Sequence, residues 1–186
     1  MVGSEVAPGR YFSDPLSACF WERLSGLGGT LEEVLANNFI AFDSMQEIVA
    51  IRDTDLAFST DEECGDWFAA PRHGIQSDIP PGRWLVGSQI VPGTYQTAAG
   101  PGCFWERLND FSGELGDTFA NDFVADGGPQ MVTISGDDIG FSSDADCGTW
   151  TRLQTLASNE ESPGPRPTQS VREIGRNRRL NDEQER

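Results

Sequence analysis

One six-residue run occurs twice in the chain and indicates how the chain is organised. It reads Cys-Phe-Trp-Glu-Arg-Leu at residues 19–24 and again, 84 positions later, at residues 103–108. Its aromatic residues favour a β-strand, in which alternate side chains point to opposite faces. The cysteine, tryptophan and arginine therefore share one face of this strand, and the phenylalanine, glutamate and leucine share the other. Each face combines apolar side chains with a charge, so the pattern leaves open which face is buried.

The repetition extends beyond this run on both sides. Val-Gly-Ser and Pro-Gly-x-Tyr precede it in both copies, and Ala-Asn, Phe-Ser and Cys-Gly-x-Trp follow it. The offset is 84 residues as far as residue 39 and 83 residues from residue 49 onward, so one residue is deleted between these parts. Agreement over this length at a nearly constant offset indicates an internal duplication.

Each copy has the composition of a small all-β unit. The chain has 186 residues with 21 Gly and 11 Pro, and turn residues separate its short apolar stretches. We therefore predict an all-β fold of two tandem modules, each a small antiparallel sandwich or partly closed barrel. Residues 31–36 are also compatible with a short helix, although their counterpart in the second copy, 115–119, is a poor helix former.

The domain boundaries follow from the duplication and from composition. We assign residues 1–67 to the first module and 83–153 to the second, with a linker containing Pro and Gly at 68–82. Met1 aligns with Leu85, so the first copy has no counterpart of Arg83 and Trp84, and we expect this module to be truncated at its N-terminus. Residues 154–186 are polar and contain several prolines, and we expect a disordered tail there.

The four cysteines occupy equivalent positions in the two copies, which selects one of their three possible pairings. If each copy closes its own loop, Cys19 bonds Cys64 and Cys103 bonds Cys147. A zinc site is the alternative, but the chain lacks a Cys-x-x-Cys pair, so four thiolates would have to bridge two modules. Closing a loop of about 45 residues contributes about 4 kcal/mol. Two such bridges indicate an oxidising compartment, outside the cell or at its surface.

Charge and composition exclude several classes of partner. The net charge is −17, and all 13 basic residues are arginines. Because phosphate contacts depend on basic side chains, we expect no unassisted binding to nucleic acid or to an anionic membrane surface. No apolar run approaches the length of a transmembrane helix, so we predict no membrane span.

The same inventory argues against an enzyme. The chain has no lysine for a Schiff base, and its one histidine, His73, lies in a loop-like stretch without a nucleophile motif. A hydrolase using paired carboxylates would need a second acid beside Glu22 or Glu106, and the residues shared by the two copies supply no obvious one. We therefore predict no catalytic residues and no cofactor.

The best candidate for a ligand surface is the Trp-Glu-Arg triplet kept in both copies. It comprises Trp21, Glu22 and Arg23 in the first copy, and Trp105, Glu106 and Arg107 in the second. As an exposed patch, the tryptophan and arginine would bind a sugar or a peptide. In the alternative, the tryptophan packs beside the cystine while the charged residues form ion pairs at the rim of the sandwich. We favour the alternative, because tryptophan beside a disulfide is a frequent arrangement in sandwich cores.

Acidic turn residues also recur, shortly before the second cysteine of each copy. Carboxylates on turns can bind Ca²⁺ together with backbone carbonyls. The spacing matches no calcium-binding loop, however, and aspartates in turns commonly bond nearby backbone groups. We therefore predict turn capping and no metal site for the two sets, which are Asp53, Asp55 and Asp61, and Asp137, Asp138 and Asp144.

The combined motif resembles a short repeat of uncharacterised secreted or surface proteins of actinobacteria. The resemblance is carried by the Pro-Gly-x-Tyr, Cys-Phe-Trp-Glu-Arg-Leu and Cys-Gly-x-Trp elements and covers residues 2–67 and 84–150. It implies an exported module that is often tandem or appended to other domains. It implies no particular activity and transfers no catalytic residues to this chain.

These observations together predict a non-catalytic, exported tandem β-repeat. Its function would be that of a cell-envelope or extracellular binding module whose partner is a glycan or another envelope component. A structural spacer without a ligand is one alternative, and an accessory fragment of a larger secreted hydrolase is a second.

Overall fold

The computed structural model describes residues 1–15, 18–41 and 45–153, and the predicted tail at 154–186 lies outside these ranges. Regular structure within them consists of β-strands and short 3₁₀ turns, which confirms the all-β prediction. The strands are β1 Gly9–Ser13, β2 Cys19–Leu24, β3 Val34–Ile40, β4 Glu47–Ile51, β5 Ala57–Thr60, β6 Asp78–Ile79, β7 Gly82–Leu85, β8 Gly93–Ala99, β9 Cys103–Leu108, β10 Thr118–Val124, β11 Gly128–Ile134, β12 Gly140–Ser143 and β13 Trp150–Arg152.

The second copy forms two four-stranded antiparallel sheets. One has the strand order β10-β9-β12-β7 and the other β11-β8-β13-β6. The repeated six-residue run is β9, which pairs with β10 on one side and with β12 on the other. Strands β7 and β6 form one edge of these sheets, β10 and β11 form the other, and β6 lies in the segment predicted to be a linker.

The first copy repeats this plan with fewer strands. Its sheets have the orders β3-β2-β5 and β1-β4, again with antiparallel pairing. A single bridge between Phe12 and Phe68 stands where β8 pairs with β13 in the second copy. Two sheet pairs therefore follow one another along the chain, as the duplication predicts.

The interpretation of residues 31–36 as a short helix is wrong. Only Leu31–Glu33 forms a turn of 3₁₀ helix, and the chain enters β3 at Val34. Strand β3 pairs along its length with β2, so the ladder hydrogen bonds outweigh a local preference for helix. The second copy has the same arrangement, with a 3₁₀ turn at Leu115–Asp117 before β10.

Each copy has a core built around its cystine and a buried tryptophan. In the first copy Cys19, Cys64 and Trp21 are fully buried in one cluster. In the second, Cys103 and Cys147 lie in a larger cluster with the fully buried Trp150. The predicted pairing is confirmed, since Cys19 bonds Cys64 and Cys103 bonds Cys147, with 4.5 Å between the Cα atoms of each pair.

A third apolar cluster joins the two copies. It contains Phe12 and Ile48 of the first copy and Leu108 and Phe111 of the second, all buried. The backbone N–H of Ala50 also donates to the carbonyl oxygen of Phe111 at 2.8 Å. Met1–Leu153 accordingly forms one compact unit.

Candidate functional site

The two tryptophans of the repeated triplet face the sandwich cores. Trp21 is fully buried, and its Nε1 donates to Oε1 of Glu47 at 3.3 Å. Trp105 is partly buried and packs against the second core, with its ring centroid 6.2 Å from that of Trp150 and 6.3 Å from that of Phe141. Neither ring lies on a flat exposed patch, and a ligand role for the tryptophans stays a prediction.

The triplet arginines form paired bonds with acidic turn residues. Arg23 donates from Nε and Nη2 to Asp55 at 2.8 and 2.7 Å, and Arg107 donates in the same way to Asp138 at 2.7 and 2.8 Å. The Arg23 side chain is 1% exposed, and that of Arg107 is 26% exposed. Burial opposes the charged form of Arg23, but its bonds to Asp55 and Glu114 together outweigh this and raise its pKa.

Four of the acidic turn residues accept hydrogen bonds from backbone N–H groups. Asp55 and Asp138 accept from the backbone N–H groups of Arg52 and Ser135, each at 2.8 Å. Asp61 accepts from the N–H of Phe20 at 3.0 and 3.1 Å, and Asp144 accepts from the N–H of Phe104 at 3.0 Å. Burial raises the pKa of Asp144 above its ordinary value. Asp55 and Asp138 therefore cap their own turns, as the sequence favoured, whereas Asp61 and Asp144 bond the backbone of β2 and β9, 41 and 40 residues away in the sequence.

The glutamates of the triplet lie on the outer face of each sheet, beside exposed phenylalanines. Phe20 pairs across the strands with Phe39, and Phe104 pairs in the same way with Phe123. All four side chains are exposed, although they are large and apolar. One step along the same face, Glu22 lies opposite Asn37 and Glu106 opposite Asn121. Each copy therefore presents two aromatic rings, a carboxylate and an amide on one surface.

These phenylalanines and asparagines were not predicted as a site, although the sequence contains a signal for them. The Ala-Asn pair and the phenylalanine two residues later recur in both copies at the positions of β3 and β10. In a strand, residues two apart share a face. Asn37 with Phe39 and Asn121 with Phe123 could therefore have been placed together on the face opposite the buried Ala36.

A cleft between the two copies brings part of this surface into a concave site. Phe39 of the first copy and Phe104 of the second both line it, as does Glu106. Its cavity volume is about 230 Å³. The other polar lining side chains are Asn38, Glu47, Arg83, Ser142, Ser143 and Asp144. The cleft thus combines two aromatic rings from different copies with several hydrogen-bonding groups.

A buried ion pair lies at the wall of this cleft. Oε1 of Glu47 is 3.3 Å from Nη1 of Arg83, and Oε2 accepts from Nδ2 of Asn38 at 3.3 Å. The pKa of Glu47 is raised by burial. The positive charge of Arg83 and the bonds from Trp21 and Asn38 lower it, but by less than burial raises it. Comparison of the two copies does not single out Glu47, because the second copy has Gln130 at the equivalent position.

These features define a disulfide-bonded tandem β-module suited to an oxidising compartment. The chain belongs to the family described as the Rv1352-like extracellular domain, which matches residues 1–68 and 74–151. No curated protein and no solved structure matches the chain. Family membership and the two disulfides locate the protein outside the cell or at its surface. In the described ranges, no helix combines the length and apolarity that a membrane crossing requires.

Proposed function

We propose that this protein is a non-catalytic extracellular binding module that holds a neutral envelope glycan in the cleft between its two copies. The observation that carries the proposal is the convergence of two exposed aromatic rings, Phe39 and Phe104, on one cleft with carboxylate and amide groups. Binding sites for small ligands are typically concave and mainly apolar, with a few polar groups that fix orientation.

The chemistry of the lining suits a sugar. An aromatic ring offers a flat apolar surface against which the C–H face of a pyranose can pack. Glu106 and Asn38 supply an acceptor and a mixed donor and acceptor for hydroxyl groups, and both side chains are only partly buried. The guanidinium of Arg83 is a further donor at the same wall.

The charge of the site selects among glycans. Glu47, Glu106 and Asp144 line the cleft with a single basic residue, Arg83, and the whole chain carries a net charge of −17. A polyanionic ligand would be repelled by this field. Neutral oligosaccharides are therefore the expected class.

The duplication supplies matched controls for the test. Phe39 is 60% exposed and its counterpart Phe123 is 62% exposed, while Phe104 and its counterpart Phe20 are both 36% exposed. Only Phe39 and Phe104 line the cleft. We expect Phe39→Ala and Phe104→Ala each to weaken binding of a neutral cell-wall oligosaccharide at least tenfold in calorimetric titration, about 1.4 kcal/mol. Phe123→Ala and Phe20→Ala should leave binding unchanged, and equal losses in all four variants would contradict the proposed site.

A rigid spacer is the second candidate, and the shared cluster of Phe12, Ile48, Leu108 and Phe111 favours it. A core that spans both copies holds them as one body, as a spacer requires. A panel of neutral envelope glycans with no saturable binding would support this candidate against the first.

A further inference from the structure

A second, smaller cavity adjoins the cleft between the two copies, and we call it the hollow. Its volume is about 90 Å³, and Leu108, Leu115 and Thr118 are among the residues that line it. Glu106 and Arg83 line both the hollow and the cleft. The two cavities therefore meet at these two side chains.

The strand register explains why the cavities meet there. Ser142 of β12 lies opposite Glu106 of β9 on one side and opposite Arg83 of β7 on the other. Residues directly opposite each other in an antiparallel sheet share a face, so these three side chains form a polar row across the sheet. Phe104 at the cleft and Leu108 at the hollow lie two residues to either side of Glu106, on the same face of β9.

The polar row offers hydrogen-bonding groups that are already held in place. Oγ1 of Thr118 donates to Oε1 of Glu106 at 2.9 Å. Nη1 of Arg83 is 3.3 Å from Oε1 of Glu47, which holds the guanidinium against the wall of the cleft. The row thus places an acceptor at Glu106, a donor at Arg83 and the hydroxyl of Ser142 between them. Such a set suits successive hydroxyl groups along a sugar chain.

The far wall of the hollow is formed by residues 110–117 and is fixed by the contact between the copies. Phe111 is buried in the cluster shared by both copies. Asp110 forms ion pairs with Arg10 and Arg52 of the first copy, each at 3.5 Å. Because these contacts hold the wall without a ligand, binding in the hollow loses little affinity to ordering of the loop.

Size argues for a ligand that occupies both cavities. Pockets for small ligands typically have volumes of about 300–1,000 Å³. The cleft at about 230 Å³ and the hollow at about 90 Å³ fall short of this range separately but reach it when joined. Along β9, Phe104 and Leu108 are about 13 Å apart, which is longer than one sugar ring.

We propose that the ligand is a linear neutral oligosaccharide whose chain runs from the cleft over the polar row into the hollow beside Leu115. This inference rests on the proposed function, because it takes the cleft as the site of the first sugar units. Leu115 lines the hollow and is 99% exposed, so a sugar unit bound there would cover an apolar side chain that the protein itself leaves open.

The test measures how affinity depends on chain length. Dimers and pentamers of three neutral linear series, the chito-, cello- and malto-oligosaccharides, are titrated into the full chain by calorimetry. We expect the pentamer of at least one series to bind at least tenfold more tightly than its dimer. The larger number of registers in which a pentamer can occupy a site for two units accounts for only about a fourfold gain, so a tenfold gain requires a second cavity.

A variant of the hollow shows where the additional sugar units bind. Leu115→Ala should weaken pentamer binding at least fivefold and leave dimer binding unchanged. The matched control is Leu31→Ala, because Leu31 is the counterpart of Leu115, is 87% exposed and lines the equivalent hollow of the first copy. That hollow shares none of its described lining residues with the cleft, so this variant should bind both oligomers as the parent does.

The outcomes separate this inference from the proposed function. A length gain below tenfold, or a gain that Leu115→Ala leaves intact, overturns the extended site while binding in the cleft stands. Absence of binding in all three series at about 10 mM overturns both.

Discussion

The two copies contain the same arginine–aspartate pair in different surroundings. In the second copy the pair is Arg107 and Asp138, and water reaches the guanidinium. In the first copy Nη1 of Arg23 also donates to the carbonyl oxygen of Ser112 at 2.6 Å and to Glu114 at 3.2 Å, both in the neighbouring copy. The pair is therefore intrinsic to the module, whereas its burial comes from the loop at 110–114.

Other equivalent positions show how each copy is specialised for this contact. The face of the first copy that receives the loop contains Phe12 and Ile48, and the equivalent residues in the second copy are the exposed Gln96 and Met131. The inserted ring is Phe111, and its counterpart Leu27 is exposed. The contact is thus head to tail, with different surfaces on the two sides.

We expect the largest difference in stability between alanine variants of the two arginines. Arg23→Ala removes both bonds to the buried Asp55 and the bonds to the neighbouring loop, and we expect a loss of about 4 kcal/mol of unfolding free energy. Arg107→Ala removes the same paired bonds where water can partly replace them, and we expect about 2 kcal/mol. Urea unfolding of the two variants beside the parent measures both values.

Equal losses of unfolding free energy in the two arginine variants would show that the neighbouring copy does not stabilise the pair of Arg23 and Asp55. Glu114→Ala isolates part of the inter-copy contribution because it removes one bond to Arg23 from the neighbouring copy without disturbing Asp55. It should weaken the parent chain and have a smaller effect when Arg23 is already alanine.

The next comparison concerns the inserted ring. Phe111 is buried between the copies, and the guanidinium carbon of Arg10 lies 5.5 Å from its ring centroid. Gly140 leaves no room for a Cβ beside this ring, whereas the first copy has Ala57 at the equivalent position. Phe111→Ala should cost about 3 kcal/mol, because it empties the centre of the shared cluster.

Leu27→Ala is the matched control and should change stability by less than about 0.5 kcal/mol. Thermal unfolding followed by tryptophan fluorescence would report both. A large loss for Leu27→Ala would mean that the exposed loop of the first copy has a partner of its own.

The extent to which sequence predicted these features depends on whether the two copies agree. The strand character of residues 19–24 and the cystine pairing followed from residues that both copies keep. The contact between the copies did not, because it uses positions where they differ, such as Phe12 against Gln96. Which face of the strand carrying the Trp-Glu-Arg triplet is buried also remained open. Alternation shows which residues share a face but not which face meets the second sheet.

We expect the smallest change in unfolding free energy at Glu47, whose equivalent position in the second copy is occupied by Gln130. Burial raises the pKa of Glu47, so the folded protein binds this proton more tightly than the unfolded chain does. The unfolding free energy must then fall as pH rises from the unfolded-state pKa, about 4.3, through the raised folded-state value. Glu47→Gln removes the titrating group while keeping the shape of the side chain.

We therefore expect the stability of Glu47→Gln relative to the parent to increase with pH above about 4.3 and to level off below it. Asp144 also has a raised pKa, but its contribution is common to both chains and cancels in the difference. The control is Gln130→Glu at a partly exposed position, where a carboxyl group that keeps its ordinary pKa adds no pH dependence. Melting temperatures between pH 4 and 8 measure the difference. A difference that shrinks as pH rises would mean that the charge of Arg83 outweighs burial, and would reverse the sign of the pKa shift at this wall of the cleft.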